Sequence, residues 1–226
     1  GDKARPLLDG EGGDVSTRGN KYPVMSPHYE ASGVSGLFFA GAVSHALDYQ
    51  KAAGGFIHGF RYTAQALVRD LLRRFHGTPW AVTDLGGSVA AAVGRVVGRL
   101  RSASSLWQMY GVFGDVILVT QPAGGSSAAL NFEYMEDVPI AMLGTRGFIP
   151  EGKELKSYVT VVFEWGEKAY GNHMLNDPGG ANHFLHPVLR AHGPMAAEIC
   201  KTANWKGKPT KGGMPGPGFG GGPVRK

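Results

Sequence analysis

Residues 33–72 read GVSGLFFAGAVSHALDYQKAAGGFIHGFRYTAQALVRDLL, and the order of features in this stretch decides the fold. Gly36-Leu37-Phe38-Phe39-Ala40-Gly41 is a short apolar run between glycines, which predicts a fully buried strand of the parallel-sheet kind. A loop with His45 and Asp48 follows, and then a helix predicted from Ala52 to Phe75. Phe56, Phe60, Ala64, Leu67, Leu71 and Leu72 recur at helical spacing, with Arg61, Arg69, Arg73 and Arg74 mostly off that stripe. Gly77 and Pro79 end the helix. Gly41 lacks a Cβ, so another group can approach the backbone closely. Ala52-Ala53-Gly54-Gly55 predicts a helix start whose N–H groups no side chain shields, and such an end favours negative charge.

Outward from this stretch, residues 1–32 are polar and read as loop, with Tyr22-Pro23 and Ser26-Pro27 as turns. After residue 79, Leu85, Val89, Val93, Val96, Val97 and Leu100 predict an amphipathic helix with Arg95 and Arg99 on its other side. Trp107, Met109 and Tyr110 read as a short helix end. Val116–Val119, Asn131–Met135 and the β-branched, aromatic Tyr158–Trp165 read as strands. Phe184–Leu189 reads as a helical turn interrupted by Pro187. From Gly207 the chain is Gly, Pro and Lys, a composition that cannot offset the entropy of ordering, so disorder is expected. The expected fold is α/β. Residues 1–78 would form the C-terminal end of a parallel-sheet, Rossmann-like domain, 79–205 a small α+β unit with a mostly antiparallel sheet, and 206–226 a disordered tail.

The chain has 226 residues and is 42% hydrophobic, enough for one or two cores. The net charge of +5 would suit a phosphate-bearing partner, but part of it is the tail, where Lys201, Lys206, Lys208, Lys211, Arg225 and Lys226 face only Glu198. The tail lacks the interleaved aromatics of single-strand binders, so no nucleic-acid partner is expected. A lone Cys200 excludes an internal disulfide and a redox CxxC pair. No apolar run approaches membrane-spanning length, and neither a leader nor a Lys-Asp-Glu-Leu-like terminus is visible. The chain opens on Gly1 rather than Met, which points to a processed or partial chain. Gly216–Gly221 fits G-x-G-x-x-G only in the proline-rich tail, with no strand before it, and is read as chance.

Residues 33–72 resemble the last flavin-contacting segment of the two-dinucleotide-domain flavoproteins, among them thioredoxin reductases and flavin-containing monooxygenases. There an apolar strand ends in Ala-Gly-Asp, whose Asp binds the FAD ribityl chain, and a later helix start meets the flavin O2 edge. Ala40-Gly41 matches; Ala42 stands where the Asp would be, which leaves its part either to Asp48 from the loop or to the backbone alone. A further resemblance rests on FFAG (38–41), SHALDYQKAAGGFIHGFRYTA (44–64), LWQMYGVFGDVIL (106–118), FEYMEDVPI (132–140), VVFEWG (161–166) and NHFLHPV (182–188). In order, these words resemble the FAD-dependent oxidoreductase domain-containing family of the endoplasmic-reticulum flavoprotein associated with degradation. The resemblance implies FAD, a reductase- or monooxygenase-like reaction with NAD(P)H, residence in the ER lumen, and quality-control proteins as partners. It implies that Gly41, Ala42, Asp48, Gln50, Lys51, Ala53 and Gly54 line the ribityl and isoalloxazine side. A helix end near a reduced flavin's negative N1–O2 edge would contribute roughly 0.3–2 kcal/mol. Without the phosphate-binding start, these residues alone are not expected to transfer hydride.

Other readings stay beside this one. Gly41, Gly54 and Gly55 would equally serve helix–strand packing, Asp48 a turn, and Gln50 and Lys51 a solvated helix start. His45 and His58 are acid–base candidates or structural histidines. His183, His186, His192 and Cys200 lack a second paired motif and make a weak zinc set. Trp107, Tyr110, Phe132, Tyr134, Trp165 and Tyr170 would make residues 79–205 a binding module, or else fill its core. Ala42 also fits a pseudo-enzyme that has lost its flavin.

Overall fold

The computed structural model describes residues 17–18, 21–49, 51–121, 130–145, 148, 154–165 and 185–196. The tail, Gln50, His183, Cys200 and Tyr170 lie outside the described residues. The chain divides into two compact units, Gly1–Thr78 and Pro79–Lys226.

In the first unit, strands β1 (Thr17–Arg18) and β2 (Tyr22–Pro23) pair antiparallel. A 3-10 helix at Gly41–Leu47 and a 3-10 turn at Ala53–Gly55 lead into helix α1 (Ile57–His76). The strand expected at 36–41 is corrected here: Phe38 makes one isolated bridge, to Glu30, and the run is not buried. Apolar content alone does not make a strand; it needs a backbone partner along its length. Phe38 instead packs edge-on against Phe75 near the end of α1, under the Arg74 guanidinium. The helix begins five residues later than expected, at Ile57 instead of Ala52. It ends as expected at Gly77, whose φ of +67° closes an αL cap with its N–H on the Leu72 carbonyl.

The buried face of α1 is Gly59, Thr63, Ala66, Leu67 and Asp70. His28, in the loop ahead of it, is tied to that face, its Nδ1 2.8 Å from Asp70 Oδ2, and Arg73, on α1 itself, donates from Nη2 to Asp70 Oδ1 at 2.8 Å. Burial alone would raise the Asp70 carboxyl, but the hydrogen bonds from His28 and Arg73 outweigh it and hold the group below its ordinary value of 3.8.

Among its described residues, the second unit holds one five-stranded sheet, entirely antiparallel, in the order β3-β5-β4-β6-β7. Its strands are β3 (Val82–Gly86), β4 (Phe113–Gln121), β5 (Asn131–Pro139), β6 (Glu154–Trp165) and β7 (Leu185–His192). Helices α2 (Val89–Ser102), α3 (Ser104–Gln108) and α4 (Ile140–Leu143) complete it. No parallel pairing occurs among the described residues. The helical turn expected at 184–189 is strand β7, at the sheet edge, where Pro187 costs no ladder bond. Leu85 belongs to β3, not to the following helix.

Helix α2 follows its apolar pattern only in part. Val96 is buried against Ile117, Tyr134 and Val159, Leu100 packs on the same core and Ala92 is buried, while Val89, Val93 and Val97 are 54%, 56% and 41% exposed. Arg99 decides this orientation. The β4–β5 register slips between Gly114/Val138 and Val116/Met135, which leaves an extra residue at Glu136–Asp137, with Asp137 at φ +54°. Buried Asp115 sits at the slip. Arg99 Nε donates to Asp115 Oδ2 at 2.7 Å, and its Nη2 to Asp137 Oδ1 at 2.7 Å. Tyr134 Oη and the Asp137 N–H donate to the same Asp115 carboxylate at 3.0 Å each. An arginine on the sheet side of α2 is stable because three acids surround it.

Two outcomes are expected in urea denaturation. Arg99→Met leaves Asp115 buried without its cation and costs about 3–5 kcal/mol, whereas Val93→Ser changes stability by less than about 0.5 kcal/mol. Because the Asp70 carboxyl is depressed in the folded state, its stabilisation is present above 3.8 and lost as pH falls through the lower folded value. The wild-type urea midpoint should therefore drop more than that of Asp70→Asn between about pH 5 and about pH 2.

Candidate functional site

The candidate site lies in the first unit, where the Gly41–Leu47 helix, the Ala53–Gly55 turn and the start of α1 meet. Gly41 adopts φ +74°, and nothing lies within 4 Å of where its Cβ would be. The turn is therefore open, as close approach of a large group requires. Ser44, buried, ties it to α1: its hydroxyl lies 2.7 Å from the Gly41 carbonyl oxygen and 2.8 Å from Thr63 Oγ1. Ala42, next in the chain, is exposed.

The expectation that Ala52–Gly55 presents unshielded amides is corrected. The Gly54 N–H donates to Asp48 Oδ2 at 2.9 Å, so the protein's own carboxylate occupies this end. Asp48 is 1% exposed and faces inward. A Cβ on Gly54 would stand 2.2 Å from Asp48 Oδ1, and one on Gly55 would stand 3.1 Å from the His45 ring. The paired glycines thus seat Asp48 and His45. A Cβ on Gly59 would stand 1.9 Å from the Ala53 carbonyl oxygen, so α1 crosses this turn at the closest possible approach. Ala53 is half-buried, and its carbonyl accepts the Phe56 N–H at 3.0 Å. Lys51 is exposed, with its N–H on the Asp48 carbonyl at 2.8 Å.

The open helix end is five residues later than expected, at α1 itself. Its N-cap, Phe56, offers no side-chain cap bond, and the first turn carries no acid. The first N–H groups of an α-helix have no acceptor within the helix, so this end carries partial positive charge. Around it Phe56 and Ile57 are 64% and 76% exposed, and His58 stacks flat on Phe56 at 5.5 Å. A residue set with an open glycine turn, an uncapped helix start and an apolar rim fits a flat, partly anionic ring system.

His45 Nδ1 and Asp48 Oδ1 face each other at 3.2 Å, within ion-pair range but without hydrogen-bond alignment, and neither atom has another hydrogen-bond partner. Burial pushes the Asp48 carboxyl up, and the Gly54 N–H and His45 pull it back only in part. Tyr22 and Tyr49 pack on the His45 ring at 5.9 and 5.6 Å. The His28–Asp70 pair was missed in the sequence because its partners are 42 residues apart. The His45–Asp48 pair was visible as His-x-x-Asp followed by Gly54-Gly55.

Of the aromatic residues considered for a docking surface, Tyr134 is core, Phe132 packs on the core, and Trp107 is 44% exposed while stacking on Phe163 at 4.1 Å. Among the described residues no helix is long and apolar enough to cross a membrane.

A stability series checks the glycine seat. Gly54→Ala should cost about 1–3 kcal/mol through overpacking against Asp48, and Gly41→Ala about 1 kcal/mol through backbone strain alone. Adding Asp48→Ala should recover much of the Gly54→Ala loss and none of the Gly41→Ala loss, read by double-mutant cycles.

Comparison with known proteins gives the following. No protein-family profile matches the chain. No solved structure matches it. FAD-dependent oxidoreductase domain-containing protein 2 of Mus musculus is 35% identical over 180 residues, 75% of this chain and 26% of that protein. The protein of the same name from Danio rerio is 31% identical over 197 residues, 81% of this chain and 26% of that protein. The chain thus spans about a quarter of the length of the curated relatives it matches. Over most of its length, it is similar in sequence to proteins named for an FAD-dependent oxidoreductase domain.

Proposed function

We propose that this chain supplies one wall of the flavin site of an FAD-dependent oxidoreductase, the Gly41–Ala42 turn and the first turn of α1 facing the ring and ribityl chain. The sequence match to the two curated relatives carries this reading. The open Gly41 turn and the uncapped, acid-free start of α1 support it. Bound FAD would supply two-electron transfer chemistry. The chain's own groups would bind and orient it: backbone amides at the helix start favour negative charge, and the Gly41 turn allows close approach. Gln50, Lys51 and Ala53 belong to the same proposed lining, with Asp48 and Gly54 behind it. NAD(P)H as reductant, a reductase- or monooxygenase-like reaction, and an ER-lumenal role with quality-control partners rest on the resemblance of the six sequence words above.

A second reading is favoured by one observation. Val89, Val93 and Val97 form an exposed apolar stripe on α2, which would suit the second unit to protein docking rather than catalysis.

The full-length gene product should purify with flavin absorbance bands. Ile57→Asp places an acid at an exposed position in the first turn of α1, and should weaken FAD binding roughly two- to fivefold. Ala42→Asp, which restores an Ala-Gly-Asp order, should tighten it. A colourless protein whose affinity for added FAD is unmoved by either change would contradict the proposal.

A further inference from the structure

Between the open turn and the start of α1 stands one group with no assigned role, the His45–Asp48 pair. Its construction is specific. Asp48 is buried, its Oδ2 accepts the Gly54 N–H at 2.9 Å, and its Oδ1 faces His45 Nδ1 at 3.2 Å. The ring is held on its other sides by Gly55, which has no Cβ to displace it, and by the Tyr22 and Tyr49 rings. Neither His45 Nδ1 nor Asp48 Oδ1 has any further hydrogen-bond partner, so each is the other's polar neighbour. With Nδ1 turned inward to the carboxylate, Nε2 is the atom left to exchange a proton with what lies outside. A buried carboxylate behind an imidazole fixes the ring's tautomer and orientation and stabilises its cation.

We infer that His45 is a proton-exchanging residue at the flavin-facing turn, with Asp48 as its positioning residue, and that this pair makes FAD binding proton-linked. The inference rests on the flavin reading above and adds its regulation. Protonated His45 places a positive charge beside Gly55, the residue before the N-cap of α1, where the helix end already favours an anion. FAD affinity therefore rises as pH falls through the His45 titration, by roughly two- to fivefold, the size of one partly exposed charge interaction. The charged and titratable groups facing His45 are Asp48 on its own loop, and Tyr22 on β2, with Lys21 Nζ over the Tyr22 and Tyr49 rings at 5.1 and 5.6 Å. Tyr29, buried behind Asp48, is pushed up by burial and by the Asp48 and Asp70 carboxylates, and stays neutral. From α1, the side chain bonded to this helix is uncharged Thr63.

Two measurements on the full-length gene product test this. Nitrogen-15 NMR of labelled histidine reads the tautomer without any substitution. Neutral His45 should carry its proton on Nδ1, and Asp48→Asn should lower its titration midpoint; an Nε2–H tautomer with a midpoint unmoved by Asp48→Asn overturns the pairing. FAD titration by absorbance across about pH 5.5 to about pH 8.5, the range histidine spans, reads the linkage. Affinity should break at the NMR midpoint in the wild type and lose that break in His45→Gln. FAD binding with the same pH profile in both proteins removes the linkage and leaves the flavin reading intact. No FAD binding at any pH removes the flavin reading and the linkage together, while the NMR result still decides the pairing.

Discussion

The carboxylate of Asp48 organises the first unit. It is buried, and one of its two oxygens, Oδ2, accepts the amide of a residue six places on. That one bond requires a glycine at 54, because any Cβ there would collide with the carboxylate. It turns the Ala53–Gly55 segment so that α1 can cross the Ala53 carbonyl, which in turn requires Gly59. The uncapped start of α1 and the open Gly41 turn are brought together by the same seat, with Ser44 and Thr63 as a second tie.

The consequence is a division of labour among the glycines. Gly54, Gly55 and Gly59 accommodate the protein's own atoms, whereas none of the described residues comes within 4 Å of where a Cβ on Gly41 would be. The segment is thus built in two layers. An inner one fixes the backbone, and an outer one presents amides, an alanine and an apolar rim of Phe56 and Ile57. Asp48 contributes from behind, through the backbone and through His45, with no exposed carboxylate of its own.

The sequence reveals strands β4, β5 and β6 because β-branched and aromatic residues there fit a pleated, buried surface in any partnering. The long helix α1 and its glycine stop are legible for equally local reasons. Three things are not. Residues 36–41 have strand composition, but strand formation depends on a pairing partner the local run does not specify. Leu185–His192 contains Pro187, which argues against a strand in the middle of a sheet and not at an edge. Of the apolar stripe on α2, Val96 and Leu100 reach the core, but Val89, Val93 and Val97 do not, and the rest of the buried side goes to Ala92 and Arg99. Asp115 and Asp137, sixteen and thirty-eight residues from Arg99, decide that orientation. In the candidate site the glycine and alanine pattern marks the open turn at Gly41, but which amides stay free is not legible from it. That depends on whether Asp48 points in or out, a choice set by burial.

The central claim is that the Gly41–Ala42 turn and the first turn of α1 form a wall against FAD. Hydrogen–deuterium exchange of the full-length gene product, with and without added FAD, reads those amides directly. The account predicts that exchange slows at Ala42 and at Ile57 and His58 when FAD is present, while the Gly54 amide, already held by Asp48, is slow in both states. Unchanged exchange at Ala42, Ile57 and His58 in a protein whose other segments become protected by FAD would contradict it.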